Sequence, residues 1–515
     1  MATVARSAPA RSRTAIDVIL AHPDRCYWIA ALLVYGLAAS NAANGHFLYQ
    51  TSRDLWQHLA ALRTLIENPF HPANPFVPGQ DGSRHFHPYW VGIAVLARAM
   101  GWTAWQALAA ASFVSAGTLI LGIRAFGLAY HGSRWGPVAL LLAMTLGWSL
   151  PISHTGFHSV ETLVEGVSYP AALLIGLSLL LWALVIRALA RPIWALLVPP
   201  LAAFMFATHQ LGAGIGFVTA GAFILFWPEA RLKTRVVVAL ALELGLALSA
   251  LWPYHNPFDA IIRTGNPTWT GGIDFYAPNK IVMIVLPSIF GVIGLLHRTS
   301  WRWSLPISAS ATAFALIFYA GSYGILIATR FAPPLMLMLH IGLSTLILIL
   351  ARNWHHMPKA HQLGWFALGC FCVVGHGMVT FIYLRGEVRE SRVLGNSYTQ
   401  GLAITRDIPD QQPVAVWDVA AWPVVATGQR VISVPWPEPM IEGLAHRQAA
   451  VEQLFRPDLT REARLSLARH WGVKTLILDT NGPLRREMPR NLLQTLQQQS
   501  VRSVKVGMFI RFDLE

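Results

Sequence analysis

Eleven apolar stretches follow one another along residues 27–384 of this 515-residue chain. Most of them approach the roughly 20 residues that an α-helix needs to cross a bilayer. Lipid offers no hydrogen-bond partners to a peptide backbone, so such a chain folds into helices that satisfy their own backbone groups. Charged residues make up only 12% of the chain, about half the share that is usual in soluble domains. The sequence therefore predicts an α-helical polytopic membrane protein with about 11 transmembrane helices.

The polar connections between the apolar stretches differ in charge. Short connections that carry arginine and lysine, such as residues 231–235, recur on one side of the alternating pattern. Basic short loops stay on the cytoplasmic side of a membrane, and the N-terminal segment 1–26 is also basic. The pattern therefore predicts a cytoplasmic N-terminus. A long polar loop at residues 44–87, called the first loop below, and the C-terminal residues 386–515 are expected on the opposite side.

The formal net charge of +14 does not indicate a nucleic-acid-binding protein. Such proteins concentrate their basic residues in a patch or a stripe, whereas the arginine and lysine residues here are scattered over turns and the C-terminal region. Membrane lipids are the expected surroundings, and no nucleic-acid partner is predicted.

Residues 386–515 differ in composition from the transmembrane module expected at residues 27–385. Three short apolar runs with β-branched residues, VAVWDVA, RVISVPW and VKTLILD, alternate there with polar helical segments at 461–471 and 484–499. About 120 residues are enough to bury a separate core. The sequence therefore predicts a small α/β domain, the C-terminal domain, outside the membrane.

The first loop is the leading candidate for a functional site, because long loops usually carry function. Asp54 and His58 are four residues apart in it and share one face of a predicted helix. A carboxylate beside an imidazole can act as a general base toward a hydroxyl group. A structural interpretation of Asp54 is equally strong, because an acidic residue in the first turn of a helix favours the helix dipole.

Two further histidines, His85 and His87, end the first loop directly before Pro88. Residues 88–100 are apolar but too short to span a bilayer, which favours a helix lying in the membrane interface. The two histidines could hold a metal or, when protonated, bind phosphate, but two ligands do not make a metal site. Proline at a helix start explains the segment without chemistry. The sequence therefore predicts no cofactor, and a divalent metal is compatible with it but unsupported.

Other candidates lie on the later polar segments that are expected outside. His158 and Glu161 are three residues apart, a spacing that fits either a polar cluster or a solvated helix face. His209 stands at the outer end of a span, as a polar cap or as a pocket residue. Arg263 is a cationic candidate on the third outer segment.

Arg330 stands at the outer start of an apolar span, where the usual distribution of positive charge disfavours it. Charged side chains at membrane depth usually face a cavity or a partner. The planar fork of arginine suits the oxygen atoms of a phosphate group. Snorkelling to the interface is the alternative, and we favour the phosphate interpretation slightly.

This layout resembles the GT-C superfamily of polyprenyl-phosphate-dependent membrane glycosyltransferases. Asp54, in RDLWQHLAAL, matches the acidic residue of the first loop in that superfamily, and ATRFAPPLML around Arg330 resembles its late arginine segment. The stretch HFHPYWVGIAVLARAMG resembles the entry to its second interfacial helix, and RLSLARHWGVKTLILD is similar to a strand region in the tails of bacterial members. Two features depart from the pattern: Arg53 replaces the first residue of an acidic pair, and HFHP replaces Lys-Pro-Pro.

The resemblance implies a glycosyltransferase of the bacterial inner membrane with a periplasmic C-terminal domain. It would move a sugar from a polyprenyl-phosphate donor to a glycan, lipid or protein acceptor at the periplasmic face. Asp54 would be the general base beside His58, and Arg330 would bind the lipid phosphate. The remaining substrate-binding candidates are His85, His87, His158, Glu161, His209 and Arg263.

A glycan polymerase or a lipid-linked-sugar transporter of cell-envelope polysaccharide synthesis is the alternative function. A transporter needs charged residues near the middle of its spans. Glu243 is the clear carboxylate at such a position, which is weak support for transport.

Overall fold

The computed structural model of the chain is mainly α-helical, with a small sheet near the C-terminus. It describes residues 22–44, 53–150, 156–165, 168–259, 281, 286–298, 300–321, 323, 325–409, 412–435, 438, 440–480 and 491–515.

Ten helices make up the first half of the described chain. They are α1 (Pro23–Asn44), α2 (Arg53–Glu67), α3 (Pro88–Met100), α4 (Ala104–His131), α5 (Gly136–Leu146), α6 (Val160–Glu165), α7 (Pro170–Ala190), α8 (Val198–Thr208), α9 (Gln210–Phe226) and α10 (Leu232–Ser249).

Five further helices lead to the C-terminal domain. They are α11 (Leu286–Ile289), α12 (Gly291–Leu296), α13 (Trp301–Gly321), α14 (Ala332–Asn353) and α15 (Lys359–Thr405), with a 3₁₀ turn, Leu326–Phe331, directly before α14. The remaining elements are β1 (Ala415–Val416), α16 (Ala421–Ala426), α17 (Leu444–Leu454), α18 (Arg461–His470), β2 (Thr475–Asp479), α19 (Leu492–Gln499), β3 (Arg502–Val506) and β4 (Phe509–Asp513).

Within the described ranges, five helical segments are long and apolar enough to cross a membrane: Ala104–His131, Pro170–Ala190, Trp301–Gly321, Ala328–His356 and Lys359–Tyr383. Four shorter apolar helical segments accompany them: Gly136–Leu146, Pro192–Thr208, Gln210–Phe226 and Leu286–Leu296. The predicted class, a helical polytopic membrane protein, is confirmed. The number of eleven spans stays a prediction, because several of the predicted spans extend beyond the described residues.

The short apolar helix expected at residues 88–100 is α3, with the same limits. His87 caps its N-terminus by accepting a hydrogen bond from the backbone N–H of Trp90, and Pro88 occupies its first position. Gly101 ends it in the left-handed conformation, with φ at 67°. These signals are local, which explains why the sequence alone sets both ends of the helix.

Helices α4 and α7 pack along much of their lengths and cross with their backbones in close contact. A Cβ atom placed on Gly176 would lie 2.6 Å from the backbone nitrogen of Leu119, and one placed on Gly122 would lie 2.4 Å from the carbonyl oxygen of Gly176. Small residues at such crossings allow membrane helices to approach closely. The two glycines therefore set the distance between these spans.

The C-terminal domain contains one sheet in the order β1-β2-β4-β3, in which β1 is parallel to β2 and β4 is antiparallel to both neighbours. The runs VAVWDVA and VKTLILD contribute β1 and β2, as predicted. The strand predicted for RVISVPW is wrong, because Val431 forms only an isolated bridge with Val414. On its other side, the backbone N–H of Val431 donates to the carbonyl oxygen of Phe76 in the first loop at 2.8 Å. Strands β3 and β4 were not predicted.

The C-terminal domain is joined to the membrane module in two ways. Helix α15 continues from its apolar segment into the domain without a break, so the boundary predicted at residue 386 lies inside a helix. A shared core also forms between the first loop and the domain, where the rings of Phe76 and Trp422 pack edge to face with centroids 5.7 Å apart. The first loop and the C-terminal domain therefore form one packed unit.

Replacing Gly176 with alanine should push α4 and α7 apart, because the new methyl group meets backbone atoms that cannot move aside. Overpacking of this kind costs about 1–3 kcal/mol, so we expect a lower midpoint of thermal unfolding in detergent. Gly214→Ala in α9 is the matched control, since a Cβ there meets nothing within 4 Å and alanine favours a helix. Equal midpoints for the two variants would contradict the close crossing.

Candidate functional site

Helix α2 and the end of the first loop bring three histidines together. His58 lies on α2, and its ring centroid is 5.1 Å from that of His85. The indole Nε1 of Trp90 donates a hydrogen bond to His58 Nδ1 at 2.9 Å, and the backbone N–H of Trp90 donates to His87 Nδ1 at 3.3 Å. Trp90 of α3 therefore orients two of the three imidazoles.

A fourth histidine, His209, has a similar arrangement at the start of α9. Its Nδ1 accepts a hydrogen bond from the backbone N–H of Gly212 at 3.0 Å. A neutral imidazole that accepts at Nδ1 carries its proton on Nε2, so His58, His87 and His209 each have an Nε2–H donor. The Nε2 atom of His87 is buried and has no hydrogen-bond partner within the described part of the chain. It is therefore an N–H donor that no described residue accepts.

The charges of two arginines act on these histidines. Burial of the His209 ring, followed by the charge of Arg330, lowers the pKa of His209 to about 4. Arg84 of the first loop contributes to the same shift, and at His58 it is the largest cause of the lowered pKa after burial. The charges of an arginine in the first loop and of an arginine in the 3₁₀ turn before α14 therefore both act on His209.

Five histidines in this region form what we call the histidine cluster, and they are neutral at pH 7. Burial is the main cause: the pKa falls to about 3 at His58 and to about 4 at His209 and His255, and it lies well below the usual value at His85 and His87. Arginine keeps its charge over the whole physiological range. The positive charge of the site at neutral pH therefore comes from its arginines.

The C-terminal domain contributes a carboxylate to the same site. Glu438 is buried, and its Oε2 lies 3.0 Å from Arg84 Nε and 3.7 Å from His85 Nε2. Its Oε1 has no hydrogen-bond partner among the residues that the structure describes. Burial raises the pKa of Glu438 in spite of the neighbouring Arg84 guanidinium. Desolvation therefore opposes the charge of Glu438 more strongly than the salt bridge favours it.

The arrangement suits an anion with several oxygen atoms. The two guanidinium groups supply fixed charge, and the neutral imidazoles supply N–H donors, which together match the charge and the acceptors of a phosphate group. Within the described ranges, no three histidine, cysteine, aspartate or glutamate side chains are arranged to hold a metal ion.

Most of the site residues that the sequence predicts for the first loop and the spans meet here: His58, His85, His87, His209 and Arg330. Asp54 lies in the first turn of α2, but its side chain is outside the described part of the structure. Arg263 is also outside the described residues. The roles of these two residues stay predictions.

Three residues of the site were missed by the sequence analysis: Arg84, His255 and Glu438. Arg84 had a usable signal, because it is a basic residue in a loop that is expected outside, and this argument had selected Arg330. Glu438 had none, since a glutamate in a polar domain is ordinarily solvated. Its importance depends on the packing of the C-terminal domain against the first loop.

His158 and Glu161 belong to a second, separate cluster. His158 Nε2 lies 2.8 Å from Nδ1 of His340 in α14. Glu161 Oε1 accepts a hydrogen bond from the Thr380 hydroxyl of α15 and lies 3.9 Å from His376 Nε2. His158 and Glu161 are buried, so the alternative of a solvated helix face is wrong. Their role in substrate binding stays a prediction.

Solved structures share the architecture of this chain. The crystal structure of ArnT from Cupriavidus metallidurans bound to undecaprenyl phosphate has a TM-score of 0.55 at 11% identity, over 98% of this chain and 99% of that one. The apo oligosaccharyltransferase of Archaeoglobus fulgidus has a TM-score of 0.52 at 12% identity, over 87% of this chain and 69% of that one. The chain has the GT-C fold.

A third structure, archaeal oligosaccharyltransferase AglB from Archaeoglobus fulgidus in complex with an inhibitory peptide and a dolichol-phosphate, has a TM-score of 0.51 at 11% identity over 87% of this chain and 69% of that one. No family model and no curated protein sequence matches the chain. The fold that the resemblance implied is therefore confirmed by structure rather than by sequence.

Glu438→Gln should stabilise the protein at neutral pH, because the neutral amide avoids the desolvation of a buried carboxylate. A carboxyl group whose pKa is raised by folding contributes stability at low pH, which is lost as the pH rises through its folded pKa. The wild-type protein should therefore lose part of its stability as the pH rises from the acidic range toward neutrality, and the variant should lose less.

Thermal unfolding in detergent across this pH range measures the effect. Glu442→Gln is the control, since it makes the same change at an exposed position of the same segment and should leave the pH dependence as in the wild type. An identical pH dependence for Glu438→Gln and the wild type would contradict the raised pKa of Glu438.

Proposed function

We propose that this protein is a membrane glycosyltransferase that moves a sugar from a polyprenyl-phosphate donor to an acceptor. The observation that carries the proposal is the buried histidine cluster beside Arg84 and Glu438, on which the charge of Arg330 also acts, in a chain with the GT-C fold. Two of the structurally similar proteins were solved with polyprenyl phosphates, namely undecaprenyl phosphate in ArnT and dolichol-phosphate in AglB.

The proposed reaction needs fixed positive charge more than a proton donor. Its leaving group is a lipid phosphate that stays anionic, and preorganised cations stabilise the charge that develops on it. Arg84 and Arg330 would supply this charge. The Nε2–H groups of the neutral imidazoles would add hydrogen bonds without titrating near pH 7, with His87 as the best candidate because its Nε2 is unpaired among the described residues.

The acceptor hydroxyl needs a base, and Asp54 is the proposed one. It lies on α2 one helical turn before His58, so the same helix would carry the base and a residue of the histidine cluster. A carboxylate that removes the hydroxyl proton in line with the anomeric carbon supports an inverting, metal-independent transfer. The acceptor is a glycan, a lipid or a protein.

We place the reaction at the periplasmic face of a bacterial inner membrane. The support is the alternation of short basic loops, which assigns the N-terminus and residues 231–235 to the cytoplasm and the first loop to the opposite side. The transporter alternative loses its supporting residue, because Glu243 is exposed on α10 whereas a functional mid-span carboxylate faces a cavity or a partner.

Arg330→Ala should weaken the binding of undecaprenyl phosphate. Hydrogen bonds to charged groups contribute about 1.5–3 kcal/mol, which corresponds to a loss of roughly 10- to 100-fold in affinity. Arg330→Lys should restore only part of it, because lysine keeps the charge but loses the bidentate fork.

Binding to the protein in nanodiscs and turnover of a polyprenyl-linked sugar are the measurements. Arg191→Ala, at an exposed position next to the C-terminus of α7, is the control and should leave both unchanged. If Arg330→Ala bound the lipid like the wild type, Arg330 would be a snorkelling interface residue.

Asp54→Asn should leave the protein folded but nearly inactive in transfer. Asparagine serves a helix start about as well as aspartate, and loss of a cap costs only about 0.5–2 kcal/mol. Loss of a general base slows a reaction by typically ~10²–10⁴-fold. Transfer rates of the purified variant with a competent donor and acceptor decide between the two roles.

His58→Ala is the companion variant and should slow transfer less than Asp54→Asn, if His58 only orients the base. Full activity of a well-folded Asp54→Asn protein would make Asp54 a structural residue of α2.

A further inference from the structure

The C-terminal domain reaches the proposed phosphate site through the buried carboxylate of Glu438. Its salt bridge is made to Nε of Arg84, the inner nitrogen of the guanidinium group, at 3.0 Å. The Glu438 side chain is only 2% exposed, whereas the Arg84 side chain is 36% exposed. The carboxylate therefore holds the guanidinium from its buried side, and part of the arginine stays open to a ligand.

This geometry has a consequence for binding. A guanidinium group has five N–H donors in a fixed plane, so a contact at Nε leaves the terminal nitrogens able to meet two oxygen atoms of one phosphate group. A free arginine side chain has high rotamer entropy, part of which is lost when a ligand fixes it. An arginine side chain that is already held by a carboxylate loses less rotamer entropy when it binds a ligand.

Glu438 itself is held in register with the first loop. The Gln80 side chain donates to the backbone oxygen of Glu442 at 3.2 Å and accepts from the backbone N–H of Glu442 at 3.1 Å. Earlier in the loop, the carbonyl oxygen of Phe76 accepts a hydrogen bond from the backbone N–H of Val431. These contacts lie on both sides of Glu438 in the sequence, so they fix its distance from Arg84.

We propose that Glu438 is a positioning residue, which holds Arg84 in the orientation that binds the lipid phosphate, so that the C-terminal domain completes the donor site. The inference rests on the proposed function. A competing interpretation makes Glu438 a counter-ion that the phosphate displaces, but the contact at Nε lies away from the terminal nitrogens and does not require displacement. The two interpretations predict opposite effects on affinity when the carboxylate is removed.

A double-mutant cycle tests the proposal. The dissociation constant for undecaprenyl phosphate is measured in nanodiscs for the wild type, Arg84→Ala, Glu438→Ala and the double variant. Each single variant should weaken binding by roughly 10-fold, the size expected for one charged hydrogen bond. Because Glu438 acts through Arg84, adding Glu438→Ala to Arg84→Ala should cause no further loss.

Two further variants separate positioning from a general effect on folding. Glu438→Gln keeps an oxygen acceptor for Arg84 and should retain most of the affinity even if Glu438→Ala folds poorly. Glu442→Ala, at an exposed position nearby, should bind like the wild type. If Glu438 had only a structural role, Glu438→Ala would lower the thermal midpoint, and it would weaken binding equally in the presence and in the absence of Arg84.

Additive losses in the cycle would overturn the positioning role, and so would tighter binding by Glu438→Ala, which would identify a displaced counter-ion. Either result requires a wild-type protein that binds undecaprenyl phosphate, and in that case the proposed function stands. If the wild type does not bind the lipid, the proposed function itself fails.

Discussion

The contact between the first loop and the C-terminal domain is the interaction on which the candidate site depends. Phe76 of the loop packs on Trp422, which is 1% exposed. The carbonyl oxygen of Phe76 also accepts a hydrogen bond from the backbone N–H of Val431. Burial of an aromatic side chain contributes about 1.5–3 kcal/mol, and further residues of the loop, among them Trp56 and Leu59, are buried in the same core. That arrangement sets Arg84 against Glu438, and without it the arginine would lie on a solvated segment.

The site contains uncharged imidazoles and charged guanidinium groups, which have different roles. Burial keeps the imidazoles of the histidine cluster uncharged, while Arg84 and Arg330 keep their charge at every physiological pH. A site built in this way attracts an anion without relying on the protonation of histidine. Its one buried carboxylate, among the described residues of the site, is next to an arginine, which is the position where its charge is best compensated.

The second cluster shows how polar groups are accommodated in an apolar helical bundle. His158 and Glu161 have partners on α14 and α15, in His340 and Thr380, because both side chains are buried and buried polar groups need hydrogen-bond partners. Residues 182 positions apart form the pair between His158 and His340. The spacing of His158 and Glu161 in the sequence indicated only that they could lie on one face of the same helix. It could not identify their partners on other helices.

The sequence by itself determined the fold class, the limits of the helix Pro88–Met100 and the choice of Arg330 as a candidate site residue. Each of these depends on a local property of the chain: the length of apolar stretches, the helix caps and the distribution of charge. Only the tertiary structure decided that Arg84 pairs with Glu438, since that contact joins two regions far apart in the chain. It also decided that the RVISVPW segment bridges Val414 on one side and Phe76 of the first loop on the other, rather than forming a strand. A backbone segment pairs with whichever neighbour packing brings to it, and packing depends on side chains throughout the molecule.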